Sequence, residues 1–515
     1  MGRALVTALA AAGVRDVVLA PGSRSAPMAY AVADAERVGW LRAHVRVDER
    51  GAGFLALGLA KAWQRRDDPR PVAVVTTSGT AVANLHPSVL EASHAGLPLL
   101  VVSTDRPHEW RGTGANQTTM QPGLFGPAVR LAAELPARAN PASARGQVAR
   151  LVAAALGTLT RDPGPVHLNV AFGEPLTPEH SWQPGDLPPA IHIEPSLPAP
   201  VTPLPAGVRT LVVAGDGAGP DAARVAREGC WPLLAEPSSG ARLGREALAG
   251  YPTLLGQGLA ADVERVVVFG HPTLSRSITS LLGRRDAEVV VVSPTARWTD
   301  VTGSAAAVVA AVRPSAPQAS DLAWRDRWQD AAAALRPVAS PQERAALALW
   351  DTPEMLFLGP SATVRAFDAA VPGAQRGARV LASRGLAGID GLIATARGLA
   401  TGMAEPVRLV LGDLSFVHDL GGLVRGELEA EVDLQVVVLD DHGGGIFATL
   451  EHRGAADAVF DRFFATPQRL DLVAVARGFG LDAERVAVAD LADALARPVR
   501  GTSVLVVDLP RASRG

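Results

Sequence analysis

Residues 409–415 read Leu-Val-Leu-Gly-Asp-Leu-Ser, and residues 436–445 read Val-Val-Val-Leu-Asp-Asp-His-Gly-Gly-Gly. In each segment a short apolar run, typical of a buried β-strand, passes directly into a turn rich in Asp and Gly. Asp413 and Asp441 are 28 residues apart, which leaves room for one crossover helix between neighbouring parallel strands. The two segments therefore predict an open α/β sheet with polar side chains at the carboxyl ends of its strands.

The same alternation of short apolar runs and Ala/Leu-rich helical stretches extends over the whole chain. The predicted strands are residues 16–20, 72–76, 99–103, 166–170, 210–214, 266–269, 289–292, 379–382, 408–411, 435–439 and 504–507. Continuous apolar strands separated by helices are typical of parallel sheets that are covered on both faces. We therefore predict an α/β protein with three doubly wound parallel-sheet domains.

The composition of the connecting segments predicts the domain boundaries. Residues 184–206 are rich in proline and predict an extended linker. It separates a first domain at 1–183 from a central α/β domain at 207–335, and a last domain follows at 336–515. Residues 215–219 (Gly-Asp-Gly-Ala-Gly) resemble a dinucleotide-binding turn, but Pro220 stands where that motif needs glycine. We interpret this segment as an ordinary strand–helix turn.

The composition excludes several classes of protein. The 515 residues are 48% hydrophobic and 20% charged, which excludes a disordered or collagen-like chain. A net charge of −3 shows no basic excess of the kind that binds a nucleic-acid backbone. The single cysteine, Cys230, excludes an intrachain disulfide, and we expect it to be a buried structural thiol. The sequence has neither a signal-peptide pattern nor an apolar run of the ~18–20 residues that span a membrane, so we expect a cytoplasmic protein.

Asp413 and Asp441 are candidate metal ligands. Mg²⁺ prefers oxygen ligands and typically takes one or two carboxylates, which leaves coordination positions for phosphate oxygens. The neighbouring glycines allow backbone atoms to approach an ion and a diphosphate closely. The alternative is that both segments are ordinary strand–helix turns, in which Gly and Asp are common. Their occurrence after two successive strands favours the metal-binding interpretation.

Gly412-Asp413, followed by a spacer, an apolar strand and an Asn-like pair, resembles the motif of thiamine diphosphate (ThDP) enzymes. Several segments more closely resemble one family of them, the 2-succinyl-5-enolpyruvyl-6-hydroxy-3-cyclohexene-1-carboxylate synthases of menaquinone biosynthesis. These segments are residues 21–27, 47–53, 77–85, 104–107, 114–118, 383–391 and 443–447. The resemblance covers the whole chain and implies pyrimidine-binding, central and diphosphate-binding domains, in that order.

The resemblance implies a transferase that uses ThDP and Mg²⁺, or Mn²⁺ in its place. Members of this family decarboxylate 2-oxoglutarate and add the resulting four-carbon carbanion to isochorismate in a 1,4-addition. In this fold the cofactor lies between the pyrimidine-binding domain of one subunit and the diphosphate-binding domain of another. The resemblance therefore implies a homodimer or homotetramer with active sites at subunit interfaces.

Glu49 matches the glutamate that hydrogen-bonds N1′ of the cofactor's aminopyrimidine in this family. A carboxylic acid enclosed in an apolar cleft can hold a proton there, whereas the alternative is an exposed helix-start acid paired with Arg50. Ile389 matches the bulky residue that supports the bent cofactor. The other implied cofactor-binding residues are Ser78, Gly79, Gly388, Gly412, Asp413, Leu414, Ser415 and Phe447, and the implied metal ligands are Asp413, Asp441 and Gly443.

Both implied substrates carry two carboxylates, so their pocket should contain arginines, whose planar guanidinium groups match carboxylate geometry. The substrate-binding residues that the resemblance implies are Ser23, Arg24, Arg106, Gln117, Ser361, Arg365 and Arg384. Arg276 in the central domain is a further candidate. In a chain so rich in arginine each could instead be a solvated surface residue, but their positions in strand-end loops favour binding.

The sequence departs from the family pattern at two positions. Asp441 stands where Asn is usual and Pro360 where Asn is common, which predicts weaker affinity for cofactor or substrate. Two other functions stay open: a ThDP-dependent carboligase or decarboxylase for another 2-oxo acid, and a non-catalytic ThDP-binding regulatory protein. The arginine set argues against the first of these, and Glu49 argues against the second.

Overall fold

A computed structural model describes residues 1–197, 200–335, 339–373 and 379–511. Residues 198–199 of the predicted linker and the predicted start of the last domain at residue 336 lie outside the described residues. The chain divides into two compact units. The first unit comprises residues 1–197, 385–405 and 418–434, and the second comprises residues 198–384, 406–417 and 435–515.

The strands, in chain order, are β1 (Asp16–Leu19), β2 (Arg42–Val45), β3 (Val72–Thr76), β4 (Leu99–Asp105), β5 (Ala132–Leu135), β6 (Val166–Ala171), β7 (Val201–Leu204), β8 (Thr210–Ala214), β9 (Leu233–Ala235), β10 (Arg265–Phe269), β11 (Glu288–Val292), β12 (Ala305–Val309), β13 (Ala311–Pro314), β14 (Met355–Leu358), β15 (Val380–Ala382), β16 (Val407–Gly412), β17 (Leu434–Asp440), β18 (Asp482–Ala487) and β19 (Thr502–Asp508). Each predicted strand overlaps one of these strands.

The α-helices, in chain order, are α1 (Gly2–Ala11), α2 (Ala26–Arg37), α3 (Glu49–Arg65), α4 (Thr80–Ala83), α5 (His86–Ala95), α6 (Ser143–Leu156), α7 (Pro220–Gly229), α8 (Tyr251–Gly256), α9 (Arg276–Leu282), α10 (Ala319–Ala334), α11 (Pro341–Trp350), α12 (Ala362–Ala370), α13 (Leu392–Met403), α14 (Asp413–His418), α15 (Asp457–Phe460), α16 (Leu472–Gly478) and α17 (Leu491–Leu495). The short 3₁₀ helices are His108–Trp110, Gly126–Ala128, Leu259–Asp262, Leu420–Leu423, Gly445–Thr449, Glu451–Gly454 and Val488–Asp490, and Asp461–Ala465 forms one π-helical turn.

The first unit is built on a parallel sheet with the strand order β2-β1-β3-β4-β6-β5. Every residue of β1, β3, β4 and β6 is buried, as expected for strands that are covered on both faces. One face packs against α1, α2 and α6, and the other packs against α3 and α5. Helices therefore cover both faces of this sheet.

Helices α3 and α13 pack closely within the first unit because glycines line their contact. A Cβ atom on Gly58 would lie 2.0 Å from the carbonyl oxygen of Thr395, and one on Gly398 would lie 2.1 Å from that of Leu55. Gly391, just before α13, would place a Cβ atom 1.9 Å from the ring of Phe54. The contacts advance along both helices in the same direction, so their N-terminal ends lie at the same end of the pair.

The second unit contains two larger sheets and a two-stranded pair, β13-β7. The central sheet has the order β12-β11-β10-β8-β9, and its strand pairs are parallel. The last sheet has the order β15-β14-β16-β17-β19-β18. Residues 215–219 form the turn between β8 and α7, as predicted.

Cys230 is a correction to the sequence analysis, because its side chain is only partly buried. The residue ends α7 in the left-handed conformation, with φ 53°. The neighbouring Trp231 fills the core position instead and is fully buried.

Candidate functional site

Asp413 and Asp441 follow two neighbouring strands of the last sheet. β16 ends at Gly412 immediately before Asp413, and β17 ends immediately before Asp441. Both side chains are buried, with 6% and 8% of their surface exposed. The backbone N–H groups of Leu414 and Gly443 donate hydrogen bonds to Asp413, which links the two turns. The structure therefore brings the two predicted metal-binding carboxylates to one edge of the sheet.

Without a nearby cation, the ionised forms of these two carboxyl groups are electrostatically unfavourable. Burial, together with the nearby charge of Asp440, raises the pKa of Asp413 to about 6. Burial, followed by the charges of Asp413 and Asp440, raises the pKa of Asp441 to about 7. Asp440 itself accepts a hydrogen bond from Arg485 Nη1 at 2.9 Å. A divalent cation at this edge would stabilise the ionised forms of Asp413 and Asp441.

The donor set at this edge fits Mg²⁺ only in part. Within the described residues, no group of three or more His, Cys, Asp or Glu side chains forms a metal site. A bound ion would need oxygen ligands in addition to Asp413 and Asp441, such as the backbone carbonyl of Gly443 and phosphate oxygens. Gly443 has φ 136°, and a Cβ atom there would lie 2.4 Å from the carbonyl oxygen of Ala465. This turn therefore has no room for another residue type.

The remaining residues predicted for the diphosphate end lie around this edge. Leu414 and Ser415 occupy the first turn of α14. Ser415 is buried, and Leu414 is partly exposed. Phe447 lies in the 3₁₀ helix after the glycine turn and packs against Phe464, with their ring centroids 5.8 Å apart.

Glu49 is the first residue of α3. Asp48 caps this helix by accepting hydrogen bonds from the N–H groups of Arg50 and Gly51, both at 3.1 Å. The Glu49 carboxyl is half-buried and accepts a hydrogen bond from Asn84 Nδ2 at 3.4 Å. Arg50 contacts a different acid, Asp419, at 3.7 Å. Arg50 therefore pairs with Asp419, whereas the alternative interpretation of Glu49 as a helix-start acid has Arg50 pairing with Glu49.

Asp419 also fixes the start of α13, just after Gly388 and Ile389. Its Oδ2 accepts hydrogen bonds from the backbone N–H groups of Ile393 at 2.8 Å and Ala394 at 3.1 Å. Burial raises the pKa of Asp419 to about 6. Gly388 and Ile389 are both partly exposed. Because α3 and α13 start at the same end of their pair, Glu49, the first residue of α3, and Ile389, just before α13, lie at neighbouring helix N-termini.

The predicted substrate-binding residues of the first unit form one cluster at the sheet edge. Arg106 donates hydrogen bonds to Ser78 Oγ and, at 2.8 Å, to the carbonyl oxygen of Gln117. Arg24 is 7% exposed and donates to the carbonyl oxygen of Phe172 at 2.9 Å. Burial lowers the pKa of Arg24, and the positive charge of Arg106 lowers it further. The two arginines therefore lie near enough at this sheet edge for the charge of one to act on the other.

Ser23 and Gly79 lie in turns at the same sheet edge. Ser23 is exposed, and Gly22 before it packs so tightly that a Cβ atom there would lie 2.3 Å from Thr77 Cβ. Gly79 has φ 85°, and its N–H donates to Gln121 Oε1 at 2.9 Å. The strand-end turns after β1 and β3 are therefore in contact.

The predicted arginines of the second unit form another cluster. Arg365 on α12 donates to the carbonyl oxygen of Ser361 at 2.8 Å. Burial lowers the pKa of Arg365, and the charges of Arg384 and Arg276 lower it further. Arg384 is 5% exposed. Arg276 instead has a mostly exposed side chain and pairs with Glu451 at 2.8 Å.

Sequence reasoning missed several side chains that contact these clusters. Asn84 lies inside a quoted motif, yet no residue pattern indicates its contact with Glu49. Asp419 and Glu236 accept hydrogen bonds from residues that are distant in the sequence, so the spacing of residues along the chain does not indicate these contacts. The closeness of Glu236 to the second arginine cluster becomes visible only in the folded chain.

Comparison with known proteins identifies the class first. Residues 1–124 match the family described as thiamine pyrophosphate enzyme, N-terminal TPP binding domain. Residues 366–509 match the corresponding C-terminal TPP binding domain. A benzoylformate decarboxylase from Polynucleobacter necessarius superimposes over 99% of this chain and 98% of its own, with a TM-score of 0.66 and 18% identity, which supports the fold. The fold and the sheet-edge residues thus define a thiamine pyrophosphate enzyme.

Full-length relatives define the family within this class. The 2-succinyl-5-enolpyruvyl-6-hydroxy-3-cyclohexene-1-carboxylate synthase of Kineococcus radiotolerans is 48% identical, covering 97% of this chain and 94% of the relative. The synthase of the same name from Nocardioides sp. is 45% identical, covering 99% and 95%. The chain belongs to the 2-succinyl-5-enolpyruvyl-6-hydroxy-3-cyclohexene-1-carboxylate synthase family. Among the helices of the described residues, none is long and apolar enough to cross a membrane.

Proposed function

We propose that this chain decarboxylates 2-oxoglutarate with ThDP and Mg²⁺ and adds the four-carbon product to isochorismate. The product is 2-succinyl-5-enolpyruvyl-6-hydroxy-3-cyclohexene-1-carboxylate, an intermediate of menaquinone biosynthesis. The observation that carries this proposal is the nearly complete coverage of relatives named for this product, at 48% and 45% identity. The two arginine clusters agree with substrates that are dicarboxylates.

Glu49 is the proposed catalytic residue. ThDP, when bound, supplies the electron sink for loss of carbon dioxide from a 2-oxo acid. Glu49 holds a proton at N1′ of the aminopyrimidine, a role that its position at the rigid, capped start of α3 supports. Ile389 and Gly388, which precede the neighbouring helix α13, supply the apolar support for the cofactor.

The edge of the last sheet is the proposed diphosphate and metal site. Asp413, Asp441 and the carbonyl of Gly443 would hold Mg²⁺ or Mn²⁺, with Gly412, Leu414 and Ser415 beside the diphosphate. The buried, mutually repelling carboxylates support a cation at this position. Asp441 replaces an amide with a second charge near the diphosphate, which we expect to weaken cofactor binding.

The arginine clusters are the proposed substrate sites. Arg24 and Arg106, with Ser23 and Gln117, bind carboxylates in the first unit. In the second unit the carboxylate-binding residues are Ser361, Arg365 and Arg384. Arg276 remains a weaker candidate because a surface acid, Glu451, already pairs with it.

The assembly and the location of the protein are also proposals. We infer a homodimer or homotetramer with active sites at subunit interfaces, and a cytoplasmic location without nucleic-acid partners. The proposed domains are pyrimidine-binding at 1–183, central at 207–335 and diphosphate-binding at 336–515, with a linker at 184–206.

The test is release of carbon dioxide from 2-oxoglutarate by the purified protein with ThDP and Mg²⁺, with and without isochorismate. We expect release that isochorismate strongly accelerates. Glu49→Gln should reduce turnover by about 10²–10⁴-fold, because the amide cannot exchange the proton at N1′. The matched control is Glu228→Gln, the same change at a half-exposed position on α7, which should leave turnover unchanged.

Three outcomes separate the candidate functions. No turnover of 2-oxoglutarate despite measured ThDP binding would refute the proposed reaction. Turnover of another 2-oxo acid would support a different carboligase or decarboxylase. ThDP binding without proton exchange at C2 of the thiazolium ring would support a regulatory protein instead.

A further inference from the structure

Glu236 is a buried glutamate at the edge of the central sheet. It follows β9 directly, and its backbone N–H donates to the carbonyl oxygen of Ala214 at 2.8 Å. The residue is 1% exposed, and its Oε1 accepts a hydrogen bond from the N–H of Leu274 at 2.9 Å. Within the described residues, Oε2 is buried and has no hydrogen-bond partner. A buried carboxylate oxygen without a partner is unfavourable for folding, which points to a functional role.

Arg384, a proposed substrate-binding residue, meets the same turn as Glu236. Its Nη2 donates to Thr273 Oγ1 at 3.3 Å, while Glu236 binds the next residue, Leu274. Arg384 is also buried, and its Nε has no hydrogen-bond partner within the described part of the chain. Glu236 and Arg384 therefore both bond to the short turn after β10, at Leu274 and Thr273. Each also keeps one buried polar atom, Oε2 and Nε respectively, without a hydrogen-bond partner among the described residues.

The charges around Glu236 favour its protonated form near neutral pH. Burial, followed by the negative charge of Asp368 on α12, raises the pKa of Glu236 to about 8. The charge of Asp216 after β8 acts in the same direction, whereas the Leu274 N–H and Arg384 oppose the shift. The other titratable or charged groups near this cluster are Arg365 on α12, Tyr251 on α8 and Arg242.

Asp368 differs from Glu236 because it has side-chain hydrogen-bond partners, although burial still raises its pKa. It accepts hydrogen bonds from the Tyr251 hydroxyl at 2.7 Å and from Arg242 Nη2 at 3.1 Å. Arg242 is itself fixed by donating to the carbonyl oxygen of Ala235 at 2.9 Å. The cationic partners left for Glu236 are therefore the proposed substrate arginines Arg384 and Arg365.

We propose that Glu236 is a positioning residue that shares Arg384 and Arg365 with a substrate carboxylate and takes up one proton when that carboxylate binds. In the free protein at alkaline pH, ionised Glu236 is a nearby anion whose charge acts on both guanidinium groups. An incoming carboxylate replaces this anion, and one proton from solvent adds to Oε2. No bond to the substrate forms or breaks, and the total charge of the cluster stays the same. The inference rests on the proposed function, because it assigns these arginines to a carboxylate substrate.

The test uses the protein loaded with ThDP and Mg²⁺ and the probe glutarate, a dicarboxylate that lacks the oxo group needed for decarboxylation. Calorimetric titration at pH 8.5, in two buffers of different ionisation enthalpy, measures the protons taken up on binding. Because Glu236 is about three-quarters ionised at pH 8.5, we expect an uptake of up to about 0.75 proton per glutarate, with the Kd rising by up to about tenfold for each pH unit above the pKa of about 8.

Three variants sharpen the test. Glu236→Gln keeps the oxygen that accepts from Leu274 but cannot titrate, so proton uptake should vanish and the Kd should no longer depend on pH. Glu236→Asp restores a titratable group and should restore part of the uptake. Glu246→Gln changes another buried glutamate of the same unit, which is 4% exposed and lies next to Arg245, and should leave the uptake unchanged. Circular dichroism establishes that each variant is folded.

The possible failures of the two proposals are distinguishable. Glutarate binding without proton uptake, no glutarate binding, or equal loss of uptake in the Glu246 variant would overturn the role of Glu236. If the same preparation still releases carbon dioxide from 2-oxoglutarate, the proposed function survives that failure. Proton-linked glutarate binding that Glu236→Gln abolishes supports the role of Glu236 even if no carbon dioxide is released.

Discussion

The first and last sheets of this chain have the same strand order but differ in the charged side chains at equivalent strand ends. Numbered within each sheet, both orders are 2-1-3-4-6-5. The turn after the first strand carries Arg24 in one sheet and Ser361 in the other. After the fourth strand the first sheet has Arg106, whereas the last sheet has Asp441. The shared fold therefore sets where side chains are presented, and the residues at strand ends set whether the edge suits anions or a cation.

The helices after the second strand show what the two sheets have in common. In the first sheet this helix is α3, which starts at Glu49, and in the last sheet it is α13, which starts soon after Ile389. The two helices pack together through glycines within the first unit. The segments that follow the second strands of the two sheets thus place an acid, Glu49, and an apolar side chain, Ile389, at adjacent helix N-termini.

The largest expected effect tests the acidic edge. Asp413→Asn removes one of the two buried carboxylates proposed to hold the metal ion, so Mg²⁺-dependent binding of ThDP and turnover should fall by at least about 100-fold. Tryptophan fluorescence during ThDP titration at fixed Mg²⁺ measures the binding.

Asp330→Asn, the same change on the exposed face of α10, is the control and should have no effect. Unchanged Mg²⁺ dependence in the Asp413 variant would mean that the last sheet does not hold the cation. The charge difference between the two sheets would then need another explanation.

The next prediction tests the helix pair. Gly58→Ala places a Cβ atom against the backbone of α13, 2.0 Å from Thr395 O, so the helices must separate. We expect a loss of about 1–3 kcal/mol in the free energy of unfolding. Urea unfolding followed by circular dichroism measures this change.

Gly146→Ala is the matched control because it lies in α6, where no atom lies within 4 Å of the added Cβ. It should stabilise the protein by about 0.5–1 kcal/mol, since alanine favours helix more than glycine does. Equal effects of the two substitutions would show that the close contact between α3 and α13 does not contribute to stability.

Burial explains which strands the sequence could predict. Interior strands such as β3 and β17 are continuous runs rich in valine, and their positions were predicted from those runs. Edge strands such as β2 (Arg-Ala-His-Val) and β18 (Asp-Ala-Glu-Arg-Val-Ala) were missed because polar residues interrupt their pattern. β14 is an interior strand that was missed because Met-Leu-Phe-Leu lacks β-branched residues and also suits a helix.

Some residues of the candidate site could be predicted from the local sequence, whereas others are recognised only by their contacts with distant segments. Asp413 and Asp441 could be found because each follows a recognisable strand. Asp419 was missed because it caps α13, a helix that starts 27 residues earlier in the chain. Glu236 was missed because β9 is only three residues long and gives no strand signal before it. Contacts between distant segments depend on the folded chain, and residue spacing alone cannot predict them.

The smallest expected effect concerns Asp441, which departs from the Asn that the family resemblance implies at this position. Asp441→Asn keeps a side-chain oxygen as a metal ligand but removes one negative charge from the buried edge next to Asp413 and Asp440. Losing this charge weakens the attraction for Mg²⁺ but also weakens the repulsion of the diphosphate. Because these two effects on ThDP binding oppose each other, ThDP affinity at saturating Mg²⁺ should change by less than about tenfold. The ThDP fluorescence titration used for Asp413→Asn measures this difference directly. Tighter ThDP binding by the variant would mean that charge repulsion dominates at this edge. A loss of affinity as large as that of Asp413→Asn would instead mean that both carboxylates are required. The last sheet would then need two acids at strand ends where the first sheet has uncharged and cationic residues.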